Sequence, residues 1–232
     1  MNAVVTLTTI HFAGHAYSHP SFLSYANRIG ADFIVIRERK MQPWVIMFEK
    51  FRVGELFDMG YDRVLYIDSD TFIKPDCEDL FEEVPEDCIG AVYDCTENIP
   101  ANEDRIPRVL DRLGHIEWKS GYLNAGVYVA SKIHRELYKI PGNAINEAWW
   151  EQDVFNYNIV KNGFKIHKLH HKYNAMRLYG YHTHKICDMT NAKIAHFAAQ
   201  GDVIKKLQHM YERYKDDIER YNAGSSKKAI VI

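Results

Sequence analysis

The sequence predicts an α/β fold, with a mixed, mostly parallel central sheet flanked by helices and an amphipathic C-terminal helix. Three observations predict it. Short β-branched or apolar runs recur at residues 3–9, 32–36 and 64–67. The segments between them carry apolar side chains at helical spacing, which makes repeated β-α-β units. The third run, Val64-Leu-Tyr-Ile67, is apolar throughout, as in a strand buried on both faces of a parallel sheet, and it stops on two carboxylates, Asp68 and Asp70.

The elements follow in order. Ala3 to Thr9 reads as a first strand. Ser18-His-Pro20 offers a cap and a first-turn proline to a helix whose stripe is Phe22, Leu23, Tyr25, Ala26 and Ile29, with Gly30 as its stop. Asp32 to Ile36 is a second buried strand. Residues 44–59 place Trp44, Met47, Phe48, Phe51, Leu56 and Phe57 at helical spacing, and Gly60 closes that helix. The Asp68/Asp70 strand follows, ended by Lys74-Pro75. Cys88 to Tyr93 is a further strand, and residues 103–113 a weak helix. Tyr122 to Ala130 is a strand interrupted by Asn124, Ala125 and Gly126, small residues that allow a ligand or backbone to approach, or mark a bulge. Ser131 caps a helix to Tyr138, and residues 146–160 form another. Residues 164–169 make a short strand, the His- and Tyr-rich stretch to His184 has no period, and residues 193–198 form a last strand. Asp202 to Tyr221 carries Val203, Leu207, Met210, Tyr214, Ile218 and Tyr221 on one stripe that packs on the body of the fold. One domain over 1–221 and a loose polar tail over 222–232 are expected.

Composition narrows the function. The net charge is −2 and the pI near 6.6, which argues against a general nucleic-acid binder. No apolar run approaches the length of a membrane span, and no secretory leader is visible, so no transmembrane segment and a cytoplasmic location are expected. The four cysteines, Cys77, Cys88, Cys95 and Cys187, match no metal or redox spacing and read as reduced structural thiols. Residues 76–104 hold eleven Asp or Glu and no Lys or Arg, whereas residues 161–185 hold six Lys or Arg, five His and no acid. Each stretch reads as a solvated face; the basic one is also a candidate surface for an anionic substrate. His167, His170, His171, His182 and His184 lack zinc-like spacing and cysteine partners.

Asp68 and Asp70 carry the chemistry. In open α/β sheets ligands bind beyond the carboxyl ends of strands. Residues i and i+2 of an extended chain point the same way, so both carboxylates are expected to face one ligand. Paired hard oxygen donors suit Mg²⁺ or Mn²⁺ shared with substrate phosphates, the alternative being a solvated Asp-Ser-Asp turn.

Five segments, in order, together resemble the nucleotide-sugar glycosyltransferases of the GT-A fold, and family 8 most. Val4 to Thr9 is similar to the family's opening strand, and Val64-Leu-Tyr-Ile-Asp-Ser-Asp-Thr71 to its Asp-x-Asp motif. Leu123-Asn-Ala-Gly-Val-Tyr128 resembles its Asn-Ser/Ala-Gly-Val strand, and Glu151-Gln-Asp-Val-Phe-Asn156 its Asp-Gln-Asp-Ile-Leu-Asn segment. Ala195-His-Phe197 stands where the family has a metal-binding His.

The resemblance implies a metal-dependent hexosyltransferase. The donor would be a nucleoside-diphosphate sugar, UDP being the commonest nucleotide in such enzymes, and the acceptor a glycan, lipid or protein hydroxyl. Configuration at the anomeric carbon would be retained. Asp68, Asp70 and His196 would hold Mn²⁺ or Mg²⁺, with Asp68 also near the ribose. Thr8 and Thr9 would border the nucleotide, Lys50 would contact the donor, and Asn124 would line the sugar pocket. Glu151 and Asp153 would hold sugar hydroxyls or the acceptor, and Gln152 would lie on the β face of the anomeric carbon. The family's Gly-x-Lys-Pro-Trp after its His is missing here; Lys205 or Lys206 would have to substitute. Two alternatives stand beside this reading: a nucleotidyltransferase or sugar-nucleotide hydrolase using the same acids, and a non-catalytic sugar-nucleotide or glycan-binding module.

Overall fold

The computed structural model describes residues 1–8, 12–95, 105–176, 191–198 and 201–232. Its strands are β1 (Asn2–Leu7), β2 (Asp32–Ile36), β3 (Arg63–Ile67), β4 (Thr71–Ile73), β5 (Cys88–Cys95), β6 (Tyr122–Ser131), β7 (Lys165–Lys168), β8 (Ala175–Met176), β9 (Ile194–His196) and β10 (Ile230–Val231). The α-helices are α1 (His15–Arg28), α2 (Val53–Asp58), α3 (Leu80–Glu83), α4 (Arg105–Leu113), α5 (Trp150–Lys161) and α6 (Val203–Ala223).

A seven-stranded sheet has the order β10-β2-β1-β3-β6-β5-β7. β6 runs antiparallel to both its neighbours, and every other pairing is parallel. The sheet is therefore mixed but mostly parallel, as the buried runs predict. Alternate residues of β1 and β3 feed opposite layers. Val4, Leu65 and Ile67 pack with α1 through Phe22 and Ala26, whereas Val5, Val64 and Tyr66 pack with α2 and α5 through Leu56 and Phe155. Burial on both faces is why these strands read as continuous apolar runs rather than as alternation. From β1 the chain moves to β2 on one side, then to β3 on the other. This reversal of strand order opens a crevice at the carboxyl ends of β1 and β3, beside Thr8 and Asp68.

Four expectations are corrected. Helix α1 starts at His15, a turn before the expected cap. Ser18 lies inside it, with its hydroxyl donating back to the Gly14 carbonyl (3.4 Å), and Pro20 is internal. The expected helix over 44–59 is a 3₁₀ segment, Ile46–Arg52, running into the short α2. The strand expected at 193–198 is only β9, and it lies outside the main sheet. β9 pairs antiparallel with β4, which sequence reasoning missed because it is three residues long, and parallel with β8. The expected loose tail ends in β10, an edge strand beside β2. Ile230 and Val231 have a β-branched ladder to join, and the Ile232 carbonyl accepts from Arg37 and Glu38.

The acidic and basic stretches lie against each other. β7 pairs with β5, Lys165 meets Asp87 at 2.6 Å and Lys172 meets Glu78 at 2.7 Å. Lys165 and Lys172 of the basic stretch thus face the protein's own acids. Cys95's side chain, Cys187, His182 and His184 lie outside the described residues. α6 packs on α1 and β4 through Leu207, Met210, Tyr214 and Ile218, as its stripe predicts.

Candidate active site

The two aspartates are placed by a turn. The Asp68 N–H closes the β3–β6 ladder on the Gly126 carbonyl (2.7 Å). The chain then turns: both the N–H and the hydroxyl of Thr71 donate to the Asp68 carbonyl, at 3.2 and 2.8 Å. Asp68 therefore opens a turn and Asp70 lies within it, so the two do not lie along an extended strand and their convergence does not come from strand alternation. β4 supplies the third group. It pairs Thr71 with His196, and the Phe197 N–H donates to the Asp70 carbonyl (3.0 Å). His196 Nε2 comes to 3.3 Å from Asp70 Oδ1.

One ligand atom from each of Asp68, Asp70 and His196 lies within 4.8 Å of the others. No other such group occurs among the described residues. Two carboxylates and an imidazole, closely grouped, fit a divalent metal such as Mn²⁺ or Mg²⁺ with positions to spare for substrate oxygens.

A cation balances the acids. Lys50, from the buried 3₁₀ segment, stands 3.2 Å from Asp68 Oδ1 and 3.6 Å from Glu151 Oε1, and donates to the Ala125 carbonyl (3.3 Å). Burial works against its charge, but Asp68 and Glu151 outweigh that and raise its pKa, so Lys50 is an ammonium. Burial, with Asp70 beside it, pushes the Asp68 carboxyl up against the pull of Lys50. For Asp70 burial acts the same way, but the His196 charge and hydrogen bond win and hold it low, while that pairing raises His196. Glu151 Oε2 is buried and has no hydrogen-bond partner among the described residues.

Helix α5 fixes the other side. Past Val127, β6 runs beyond the end of β3; β5 continues on the other side, but backbone groups of Leu123 and Ala125 are left without a partner on the β3 edge. Gln152 and Asn156, one helical turn apart, replace it. Ala125 N–H donates to Gln152 Oε1 (2.9 Å), and Asn156 both accepts from Leu123 N–H (2.7 Å) and donates to its carbonyl (2.9 Å). A helical i,i+4 step matches the i,i+2 step of a strand. Gln152 Nε2 donates to Asp94 Oδ2 (3.0 Å), so both ends of that amide are engaged.

The structure gathers Lys50, Asp68, Asp70, Asn124, Glu151, Gln152 and His196 in one hydrogen-bonded neighbourhood. Two further expected residues make their contacts outside this neighbourhood. Asp153 accepts from the Tyr122 hydroxyl and pairs with Arg105 at 3.0 Å. Thr8 is buried beside the crevice, with its hydroxyl 2.8 Å from His19 Nε2. Thr9 lies outside the described residues. Lys205, offered as a phosphate ligand, is an exposed residue of α6 that pairs with Asp202 at 3.7 Å; Lys206 is on the same helix. Sequence reasoning missed Asp94, Arg105 and Asn174. Asp94 carries the signal that revealed Asp68, a carboxylate at the carboxyl end of an apolar strand; burial pushes its carboxyl up. Arg105 sat in a weak helix and Asn174 in an aperiodic stretch.

The mixed sheet, the switch point beside β1 and β3 and the acid pair closed by a histidine agree with the GT-A fold of nucleotide-sugar glycosyltransferases. The chain belongs to glycosyl transferase family 8, whose profile matches residues 36–201. Solved structures agree on the fold. Glycosyltransferase GlyE of Streptococcus pneumoniae superposes at a TM-score of 0.63 and 15% identity, over 96% of this chain and 63% of that one. Galactosyltransferase LgtC, solved with donor and acceptor sugar analogues, gives 0.55 and 14% over 91% and 96%. A glycosyltransferase involved in glycosylating the major capsid of PBCV-1 gives 0.57 and 14% over 90% and 99%. A search of curated protein sequences finds no match.

Proposed function

We propose that the protein is a metal-dependent, retaining hexosyltransferase that moves a sugar from a UDP-sugar to a hydroxyl of a glycan, lipid or protein. The observation that carries it is the Asp68–Asp70–His196 cluster at the switch point, with Lys50 and Glu151 beside it. A divalent metal there would supply Lewis-acid stabilisation of the charge left on the departing diphosphate. Lys50 adds a fixed positive charge on the same side. Glu151, with one oxygen unpartnered among the described residues, suits a sugar hydroxyl or the positive charge of an oxocarbenium-like ring better than Asp153, whose Oδ1 already meets Tyr122 and Arg105.

Gln152 is a neutral amide with Oε1 committed to a backbone N–H. That supports transfer on one face of the sugar over a covalent intermediate. The bond from the anomeric carbon to the phosphate oxygen breaks, the bond to the acceptor oxygen forms, and the acceptor proton passes to the leaving phosphate. Trapping of a glycosyl adduct on Gln152 or Asp153 is the result that would refute this route.

The test is thermal stability against a panel of nucleotides and sugar nucleotides, with and without Mn²⁺. A ligand at a hundred times its Kd stabilises by about 2.7 kcal/mol. A Mn²⁺-dependent rise with one UDP-sugar, followed by release of UDP and a glycoside product, is expected. Pyrophosphate or free sugar as product would favour nucleotidyl transfer or hydrolysis. Saturable binding without turnover would leave a binding module.

A further inference from the structure

Asn174 has 0% exposure and lies between the sugar-side strand β6 and the histidine of the acid pair. Its amide donates to Asn124 Oδ1 (2.8 Å), and its Oδ1 lies 2.7 Å from His196 Nδ1. Which end faces which is decided by the backbone. Gly126 N–H can only donate, and it points at Asn124 Oδ1 (2.9 Å). The atom of Asn124 that meets Asn174 is therefore an oxygen, and Asn174 must present its NH₂ to it. That leaves the Asn174 oxygen for the imidazole, which must donate from Nδ1. Nε2 then faces Asp70 at 3.3 Å: it donates there while the ring is charged and offers its lone pair once that proton is lost.

We propose that Asn174 is the positioning residue for His196. Its amide, oriented by the chain Gly126 N–H, Asn124, Asn174, holds the imidazole in the Nδ1–H tautomer, which leaves the Nε2 lone pair for a cation that Asp68, Asp70 and His196 would hold. A ligating histidine needs a partner on its other nitrogen to fix ring and tautomer, and losing one costs 10–100-fold in metal affinity. Here the partner is a neutral amide tied to the strand that carries Asn124, so the metal side and the sugar side share one hydrogen-bonded chain. The inference rests on the metal reading above, and its test separates the two.

The first measurement needs no variant. The ¹⁵N spectrum of histidine-labelled, metal-free protein, taken at alkaline pH with the ring neutral, should show His196 protonated at Nδ1. Protonation at Nε2 would overturn the proposal. The second is Mn²⁺ affinity, read by the fall in free-Mn²⁺ electron paramagnetic resonance. Asn174→Leu should weaken binding 10–100-fold. Asn174→Asp, which keeps an acceptor for Nδ1, should stay severalfold tighter than Asn174→Leu. Equal affinity of wild type and Asn174→Leu would overturn the positioning role. Absence of Mn²⁺ binding by the wild type would sink the metal reading instead, and the tautomer would then decide the relay alone.

Discussion

At the scale of single residues, the site is a problem of buried charge. Glu151 and Lys50 are buried and Asp68 is half-buried, and Lys50 is the cation within 4 Å of both acids among the described residues. Removing one member of a buried pair costs about 3–5 kcal/mol because the other charge stays behind. Lys50→Met keeps the length of the side chain and discards the charge. Chemical denaturation should show a loss of about 3 kcal/mol at pH 7. The deficit should shrink as the pH falls, since Asp68, pushed up by burial, takes a proton earlier than an ordinary carboxylate does. A variant as stable as wild type at pH 7 would mean that the acids are solvated. Activity should fall in parallel, through kcat or the donor KM. Asp70→Ala should keep the fold and abolish Mn²⁺-dependent transfer, and a near wild-type rate would remove Asp70 from the machinery.

At the scale of elements, strand β6 and helix α5 act as one unit. Asn156 satisfies both backbone groups of Leu123, which β3 is too short to reach. Asn156→Leu leaves two buried polar groups unpaired, at about 1–3 kcal/mol each. Urea denaturation should report a loss of about 3 kcal/mol, and a change below 1 kcal/mol would show that water replaces the amide. Gly126 on β6 is a different kind of constraint. A Cβ there would sit 2.5 Å from His196 Cε1, 2.8 Å from Asp68 Oδ2 and 2.9 Å from Asn124 Oδ1. Gly126→Ala must push apart the groups proposed to share a cation. Mn²⁺ affinity should drop at least about tenfold with a stability cost of about 1–3 kcal/mol. Unchanged affinity would show that the ligands can retreat freely.

At the scale of the molecule, the sheet joins the site to stability through the first strand and helix. Burial drives His19 from 6.5 to about 4, so it is neutral at pH 7 while its ring meets Thr8 beside the crevice. The unfolded chain protonates His19 near pH 6.5 and the folded one only near 4. Stability is therefore lost as the pH falls through that window and levels off below it, for a total on the order of 3 kcal/mol. His19→Gln should flatten part of the slope between pH 7 and 4 in denaturation curves. A slope identical to wild type would place the titration elsewhere.

What the sequence determined by itself was local. The apolar runs of β1, β2 and β3, the α6 stripe and the carboxylates that stop β3 are legible because burial on two faces, helical period and strand ends write themselves into neighbouring residues. The resemblance of five ordered segments carried the family and most of the candidate site, including His196, which no local pattern distinguishes from a core histidine. The tertiary structure decided the rest, because it depends on contacts between residues distant in the chain. The β4–β9 pairing brings His196 to Asp70, 126 residues away. A turn, not strand alternation, aims the two aspartates. Asp153, adjacent to Gln152 in sequence, turns to Arg105 because successive helical positions face different neighbours. Asn174 and Asp94 acquire partners only when separate segments close on β6. Hydrogen bonds reach about 3 Å in space and carry no memory of sequence separation.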